Sequence, residues 1–230
     1  MLQLPDVTLI CIDTVCHDLA RLAIEDCVRH CAFADVITFF DEPITSKEEY
    51  SRFLWDDAWK AVKTSHFLVC QWDSWIIDPG MWRDEFLGFD YIGAPWWHQD
   101  RYNVGNGGFS LRSTRLAKHV AENAARYPRF DPEDVALCRR HRFGLERDGF
   151  RWAPFDTALD FSFECVRKSL DQRHFGFHAF RNWPFVLSRE RLDERLALLN
   201  DYIMRDNQFG LLMQNLDTLH QMGREVGYIH

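Results

Sequence analysis

The chain reads as an α/β protein: a mostly parallel central sheet with flanking helices and a helical extension at the C-terminus. Three observations predict this. Apolar runs that suit buried strands recur at residues 7–13, 35–40 and 67–71. Helix-period segments separate them, and a strand–helix–strand–helix–strand series builds a parallel sheet with helices on its faces. From Ser188 onward the pattern is helical, with Leu192, Leu196, Leu199 and Ile203, then Phe209, Leu212, Met213, Leu216 and Leu219 at helical spacing. A length of 230 residues accommodates one large domain with an appendage, divided here at 1–185 and 186–230.

The elements follow in order. "VTLICID" is continuous and β-branched, and ends in Asp13. Leu19, Leu22, Ala23, Cys27 and Cys31 then keep helical spacing. "ADVITFFDE" is the second strand, closing on Asp41 and Glu42. Ser46 with Glu49 forms a capping box for a helix that buries Tyr50, Phe53, Leu54, Ala58 and Ala61. "HFLVCQWDS" is the third strand and runs into Asp73. "FDYIGAPWW" is a short strand that leaves through Gly93 and Pro95, and "NVGNGGFSLRS" is a Gly-rich turn feeding an alternating strand. Residues 113–126 are helical, with Leu116, Val120 and Ala124 on one face. "DPEDVALCRRH" opens another helix, with Asp131 suited to the N-cap and Pro132 to the first turn. Residues 149–164 read as short strands and turns.

Composition narrows the function. A net charge of −8 argues against a general nucleic-acid binder, which would carry a basic stripe, but leaves room for a local anion site. Apolar residues at 47 % and aromatic ones at 15 % supply a sizeable core. The opening "MLQLPDVTLI" lacks a basic segment followed by a long apolar one, and no apolar run reaches the length of a membrane span. Seven cysteines, an odd number set mostly in apolar periodic segments, fit reduced thiols and a cytoplasmic location. Cys11, Cys16, His17, Cys27, His30 and Cys31 match no close-knit zinc spacing.

Ligands of parallel sheets bind beyond the carboxyl ends of the strands. Asp13 with Thr14, Asp41 and Asp73 fall at such ends. Asp73 suits a hard-oxygen ligand for Mg²⁺ or Mn²⁺ bridging to a diphosphate; it equally suits a turn. "GNGG" allows close backbone approach to a ligand, or a hairpin turn. Glu133 and Asp134 suit a helix N-terminus electrostatically, and would also serve as a general base facing the crevice. His178, between Phe177 and Phe180, is structural or chemical. Five of nine tryptophans lie between Trp72 and Trp97, as core or as a stacking wall. Trp96 and Trp97 are candidates for a subunit contact or an acceptor wall.

In this order, an apolar strand ending in an acid, then "DYIGAP", "GNGGFSLRS", "EDV" and a late "GFH" resemble the glycosyltransferases of the GT-A fold, a Rossmann-like architecture. More closely, they resemble a DUF5672-like family of glycosyltransferase type, over roughly residues 66–184. The resemblance implies transfer of a sugar, with inversion, from a nucleotide-diphosphate donor (a UDP-sugar in the commoner case) to a hydroxyl on a glycan, a lipid-linked acceptor or a small molecule. It implies a DxD-type metal site for Mn²⁺ or Mg²⁺, onto which "QWDS" falls with Gln71 in place of the first acid, Asp73 as the second, and Asp78 in reserve. His178 would join the metal. Asn106, Gly107 and Gly108 would line the donor and acceptor site. Glu133 or Asp134 would activate the acceptor, Arg112 would assist the leaving diphosphate, and Asp13 and Asp41 would hold ribose or base. The missing acid keeps two alternatives open: a GT-A-shaped nucleotide-sugar-binding protein without catalysis, or a metal-dependent nucleotidyltransferase or phosphohydrolase.

Overall fold

The computed structural model describes residues 1–165, 171–200, 204 and 207–229. The predicted helical position Ile203 lies outside the described residues. β1 (Leu2–Ile12), α1 (His17–His30), β2 (Cys31–Phe39), α2 (Lys47–Asp56) and β3 (His66–Cys70) follow the expected alternation. With β5 (Tyr91–Gly93) and β6 (Phe109–Ser113) they form a five-stranded sheet in the order β2–β1–β3–β6–β5. β1 pairs parallel with β2 and β3, whereas β6 is antiparallel to both β3 and β5. Four strands therefore run one way and β6 opposes them.

That reversal positions the site. Because β6 runs backwards, its first residue, Phe109, pairs with the last residue of β3, Cys70. The turn at residues 105–108 thus arrives at the edge where β1 and β3 deliver Asp13 and Asp73. The alternation of β1 separates two cores. Val7 and Leu9 pack with Leu19, Ala23 and Cys27 of α1, and Ile10 and Ile12 pack with Leu54, Ala58, Phe67 and Val69. The Ser46 cap forms as expected, its Oγ accepting from Glu49 N–H at 3.1 Å. α3 (Thr114–Glu122) follows β6 directly.

A second, small sheet was not expected. β4 (Trp75–Ile76) pairs antiparallel with β8 (Gly176–Phe177), which pairs parallel with β7 (Ser162–Phe163). Strands this short leave no period to read, yet this sheet carries His178 up to Asp73. Other differences have local causes. Cys31 opens β2 rather than ending α1, because β2 lengthens to pair with β1 from Leu2 onward. Residues 149–164 contain a helix, α6 (Phe155–Phe161), introduced by Pro154 and too short for helical spacing to show. Asp131 is not an N-cap. Pro132 holds that position before α4 (Glu133–Val135), and Asp131 Oδ1 instead accepts from Ser51 Oγ at 2.7 Å. A π-helical turn at Ala136–Arg140 follows, then α5 (Arg142–Arg147).

The C-terminal helices are α7 (Trp183–Val186), α8 (Arg189–Leu196) and α9 (Asn207–Val226). α9 crosses α7 at Gly223, where a Cβ would come within 2.1 Å of the Phe185 carbonyl oxygen. α8 is tied to α1 through Asp26, which accepts from Arg191 at 2.7 Å and from the buried Arg195 at 2.5 Å. Among the described residues, no helix is long and apolar enough to cross a membrane.

Candidate active site

Asp13 ends β1. Its Oδ1 accepts from Val15 N–H at 2.9 Å and Cys16 N–H at 2.5 Å, which fixes the loop into α1. Burial pushes its carboxyl up, against those two bonds, and the nearby Asp73 carboxylate adds to the rise. Asp73 is buried just past β3. Its Oδ2 accepts from Phe180 N–H at 3.1 Å, while Oδ1 is buried without a hydrogen-bond partner. His178 Nε2 stands 3.4 Å from that oxygen, an ion contact rather than a hydrogen bond, and 3.1 Å from Gln71 Oε1. Gln71 Nε2 donates to Tyr50 Oη at 2.9 Å.

On the far side of the imidazole stands Glu164, with Oε1 3.5 Å from His178 Nδ1 and 3.2 Å from Arg181. Asn106 Nδ2 donates to Glu164 Oε2 at 2.7 Å and lies 3.0 Å from His178 Nδ1. Burial works against a charged ring, yet Asp73 and Glu164 together raise His178 to about 10. Burial alone would raise Glu164; His178 and Arg181 outweigh it and hold the acid down at about 2.

The Gly-rich turn joins this cluster to the start of α4. Asn106 adopts φ of 63°, a left-handed conformation that Asn tolerates. A Cβ on Gly108 would lie 2.1 Å from His178 Nε2, and one on Gly107 would lie 2.6 Å from Glu133 Oε1. Both glycines are therefore required by contact. Gly107 N–H donates to Asp134 Oδ2 at 2.9 Å, and Val135 N–H to Asp134 Oδ1 at 2.7 Å. Burial, reinforced by the adjacent Glu133, raises Asp134 to about 7, in a residue that is half-buried overall. Glu133 is different. It is buried and bonded to Arg112 Nη2 at 2.8 Å. Arg112 in turn donates to the Gly107 carbonyl at 3.3 Å and lies 5.0 Å over the Tyr91 ring.

The structure thus brings together Asp13, Gln71, Asp73, Asn106, Gly107, Gly108, Asp134 and His178. Arg112 and Glu133 form a buried pair behind the turn. Thr14 Oγ1 donates to the Ile44 carbonyl at 2.6 Å, and Asp41 is exposed beyond β2. Asp78 is no reserve ligand: it accepts from Gly80 N–H at 3.0 Å and pairs with Arg173 at 2.8 Å. Glu164 escaped sequence reading. It repeats the pattern of a strand ending in an acid, but its strand has only two residues.

Among the described residues, no three His, Cys, Asp or Glu side chains are grouped as a metal site. The partial set is Asp73 Oδ1, left without a bond, His178 Nε2, and the amide oxygen of Gln71. Their 3.4 and 3.1 Å separations, an ion contact and a hydrogen bond, lie near the spacing of about 3 Å between adjacent ligands of an octahedral ion at about 2.1 Å, so this set would hold a Mg²⁺-like ion only with further oxygens from substrate phosphates. Two cavities lie apart from this cluster. One of about 10 Å³ sits behind Arg112 and Glu133, and one of about 460 Å³ lies between Arg189 and α9.

No curated protein matches the chain. Its fold is similar to a crystal structure described as a glycosyltransferase involved in the glycosylation of the major capsid of PBCV-1. The TM-score is 0.53 at 16 % identity, over 84 % of this chain and 99 % of that one. A family model described as "Protein of unknown function (DUF5672)" matches residues 33–178. With the ordered motifs inside that span and the match covering most of its length, the chain belongs to the DUF5672 family.

Proposed function

We propose that the chain is a glycosyltransferase that moves a sugar from a nucleotide-diphosphate donor, a UDP-sugar by preference, to a hydroxyl acceptor with inversion. The observation that carries this reading is Asp134. It is a half-buried residue whose carboxylate is held on the Gly107 amide and raised to about 7, at one end of a contact chain that runs through Asn106 and His178 to Asp73. A sugar hydroxyl is a weak nucleophile and needs a base as attack proceeds, and a base that titrates near neutrality is best matched to that task. Asp134 takes the hydroxyl proton. The oxygen attacks the anomeric carbon from the face opposite the diphosphate, and the leaving group gathers charge at the Asp73–His178 end.

Asp73 and His178, with Gln71 beside them, would hold a Mn²⁺ or Mg²⁺, which would supply Lewis-acid stabilisation of that diphosphate. His178 must then give up its Nε2 proton. Without an ion, the imidazolium itself meets the developing charge. Arg112 and Glu133 act as positioning residues that hold the Gly107 carbonyl and the root of α4. Asp13, with Thr14 and Asp41 on the same edge, takes the ribose or base.

The test is release of free nucleoside diphosphate from a panel of UDP-sugars, with Mn²⁺ and with excess chelator. Asp134→Asn is expected to lower turnover by about 10²–10⁴-fold while UDP affinity holds. Full turnover in that variant overturns the assignment. Gln71 favours one second reading, a protein that binds nucleotide-sugars without transferring them. In that case UDP binds and no diphosphate is released.

A further inference from the structure

Eight of the nine tryptophans are buried or half-buried, whereas Trp97 is 65 % exposed. A large aromatic ring left in water gains none of its burial free energy. The loop that presents it is not loose. Pro95 bridges Val104, and Trp96 N–H donates to the Asn103 carbonyl at 2.7 Å. Trp96 itself turns inward, its ring filling the space beside Gly105, where a Cβ would come within 2.1 Å.

The outer side of the loop is held by arginines. Arg139 donates to Asp100 at 2.7 Å and to the Tyr102 carbonyl at 2.6 Å. Arg101 donates to Glu146 at 3.1 Å, and Arg142 to the Val104 carbonyl at 3.4 Å. Arg139 and Arg142 belong to the helical run that begins at Glu133 and Asp134. The loop carrying Trp97 and the proposed base therefore share one framework. Trp96 pairs with Asn103, four residues before Gly107, so at about 3.3 Å per residue at most roughly 13 Å separates that pairing point from the backbone amide that bonds Asp134. A mono- or disaccharide spans that distance.

The surroundings decide the class of ligand. The three residues that follow Trp97 in its loop are all polar. His98 lies beside it, at 5.3 Å between ring centroids, and Gln99 and Asp100 are exposed. A flat apolar face rimmed by hydrogen-bonding groups suits a pyranose, whose C–H face packs on the electron-rich ring while its hydroxyls reach the rim. We infer that Trp97, with His98 beside it, is the stacking platform for a pyranose of a saccharide acceptor. This rests on the glycosyl-transfer reading and gives the acceptor its chemical class.

The test is saturation-transfer NMR with the methyl glycosides of glucose, galactose, mannose and N-acetylglucosamine on wild type, Trp97→Ala and Trp97→Phe. UDP calorimetry is run in parallel as a probe of the donor site. At least one glycoside is expected to receive saturation on its ring C–H protons. Its affinity should fall about tenfold in Trp97→Ala and be largely kept in Trp97→Phe, with UDP affinity equal in all three. The inference is overturned if no glycoside binds wild type, or if Trp97→Ala binds equally well. It is also overturned if that variant changes the sedimentation coefficient, which makes Trp97 a contact between copies. Trp97-dependent glycoside binding without UDP binding upholds the platform and overturns only the transfer reading.

Discussion

At the scale of single residues, the site is defined by what has no side chain. A methyl group on Gly108 would meet three atoms of the His178 ring, the nearest at 2.1 Å. That ring cannot retreat freely, because Gln71, Asp73, Asn106 and Glu164 hold it from several sides. Overpacking of this kind costs about 1–3 kcal/mol. Gly108→Ala is therefore expected to lower the unfolding midpoint and to weaken UDP binding together, both visible in a thermal-shift titration with UDP. A variant that keeps normal UDP binding would show that His178 is not part of the donor end. The unbonded, buried oxygen of Asp73 belongs to the same argument. A buried carboxylate oxygen without a hydrogen bond is costly. It persists here because an imidazolium stands 3.4 Å away.

At the scale of elements, two supports hold the site from behind. The turn at 105–108 is stitched to β3, since Gly108 O accepts from Gln71 N–H at 3.1 Å and from Ser74 Oγ at 2.8 Å. The second support is the clamp between α1 and α8. Arg195 is 2 % exposed, bonds Asp26, and lies 4.1 Å over the ring of Trp75, which opens β4 two residues after Asp73. Asp26→Ala leaves a buried guanidinium without its counter-charge, a change that costs about 3–5 kcal/mol. Urea unfolding should register that loss. The pair Asp26→Ala, Arg195→Met should regain most of it, because the uncompensated charge is gone; a double variant no more stable than the single one would refute the clamp. The parallel strands were legible in sequence because buried strands are long apolar runs, as in "VTLICI". The clamp was not, since Asp26 and Arg195 lie 169 residues apart and charge at helical spacing reads as a solvated face.

At the scale of the whole molecule, the ordered motifs were more readable than any single one. Strand order alone placed Asp13, Asp41 and Asp73 on one edge, while the Gly-rich turn was assigned to the site only by the resemblance; the reversed β6 is what brings that turn to Asp73. Direction was the missing quantity. Nothing in "GFSLRS" states that β6 runs against its neighbours, nor that a two-residue strand brings Glu164 to His178. The acids also set how stability responds to pH. An Asp has an unfolded value of about 3.9, and Asp134 is raised to about 7 in the fold. The folded state thus holds this proton more tightly than the unfolded one. Its contribution is full below about pH 4 and is lost as pH rises through about 7. Asp134→Asn carries no such charge, so the variant should gain stability relative to wild type across that interval. Midpoints measured from pH 4 to 8 that run parallel for the two proteins would contradict the raised value.

The bond between the Gly107 amide and the Asp134 carboxylate also makes the site observable in isolation. The amide proton points at one oxygen of the carboxylate proposed as the base. Its resonance therefore carries the ionisation state of the acid into a signal that needs no donor, acceptor or ion. A titration of that one backbone proton reads the charge of the proposed base with no substrate present.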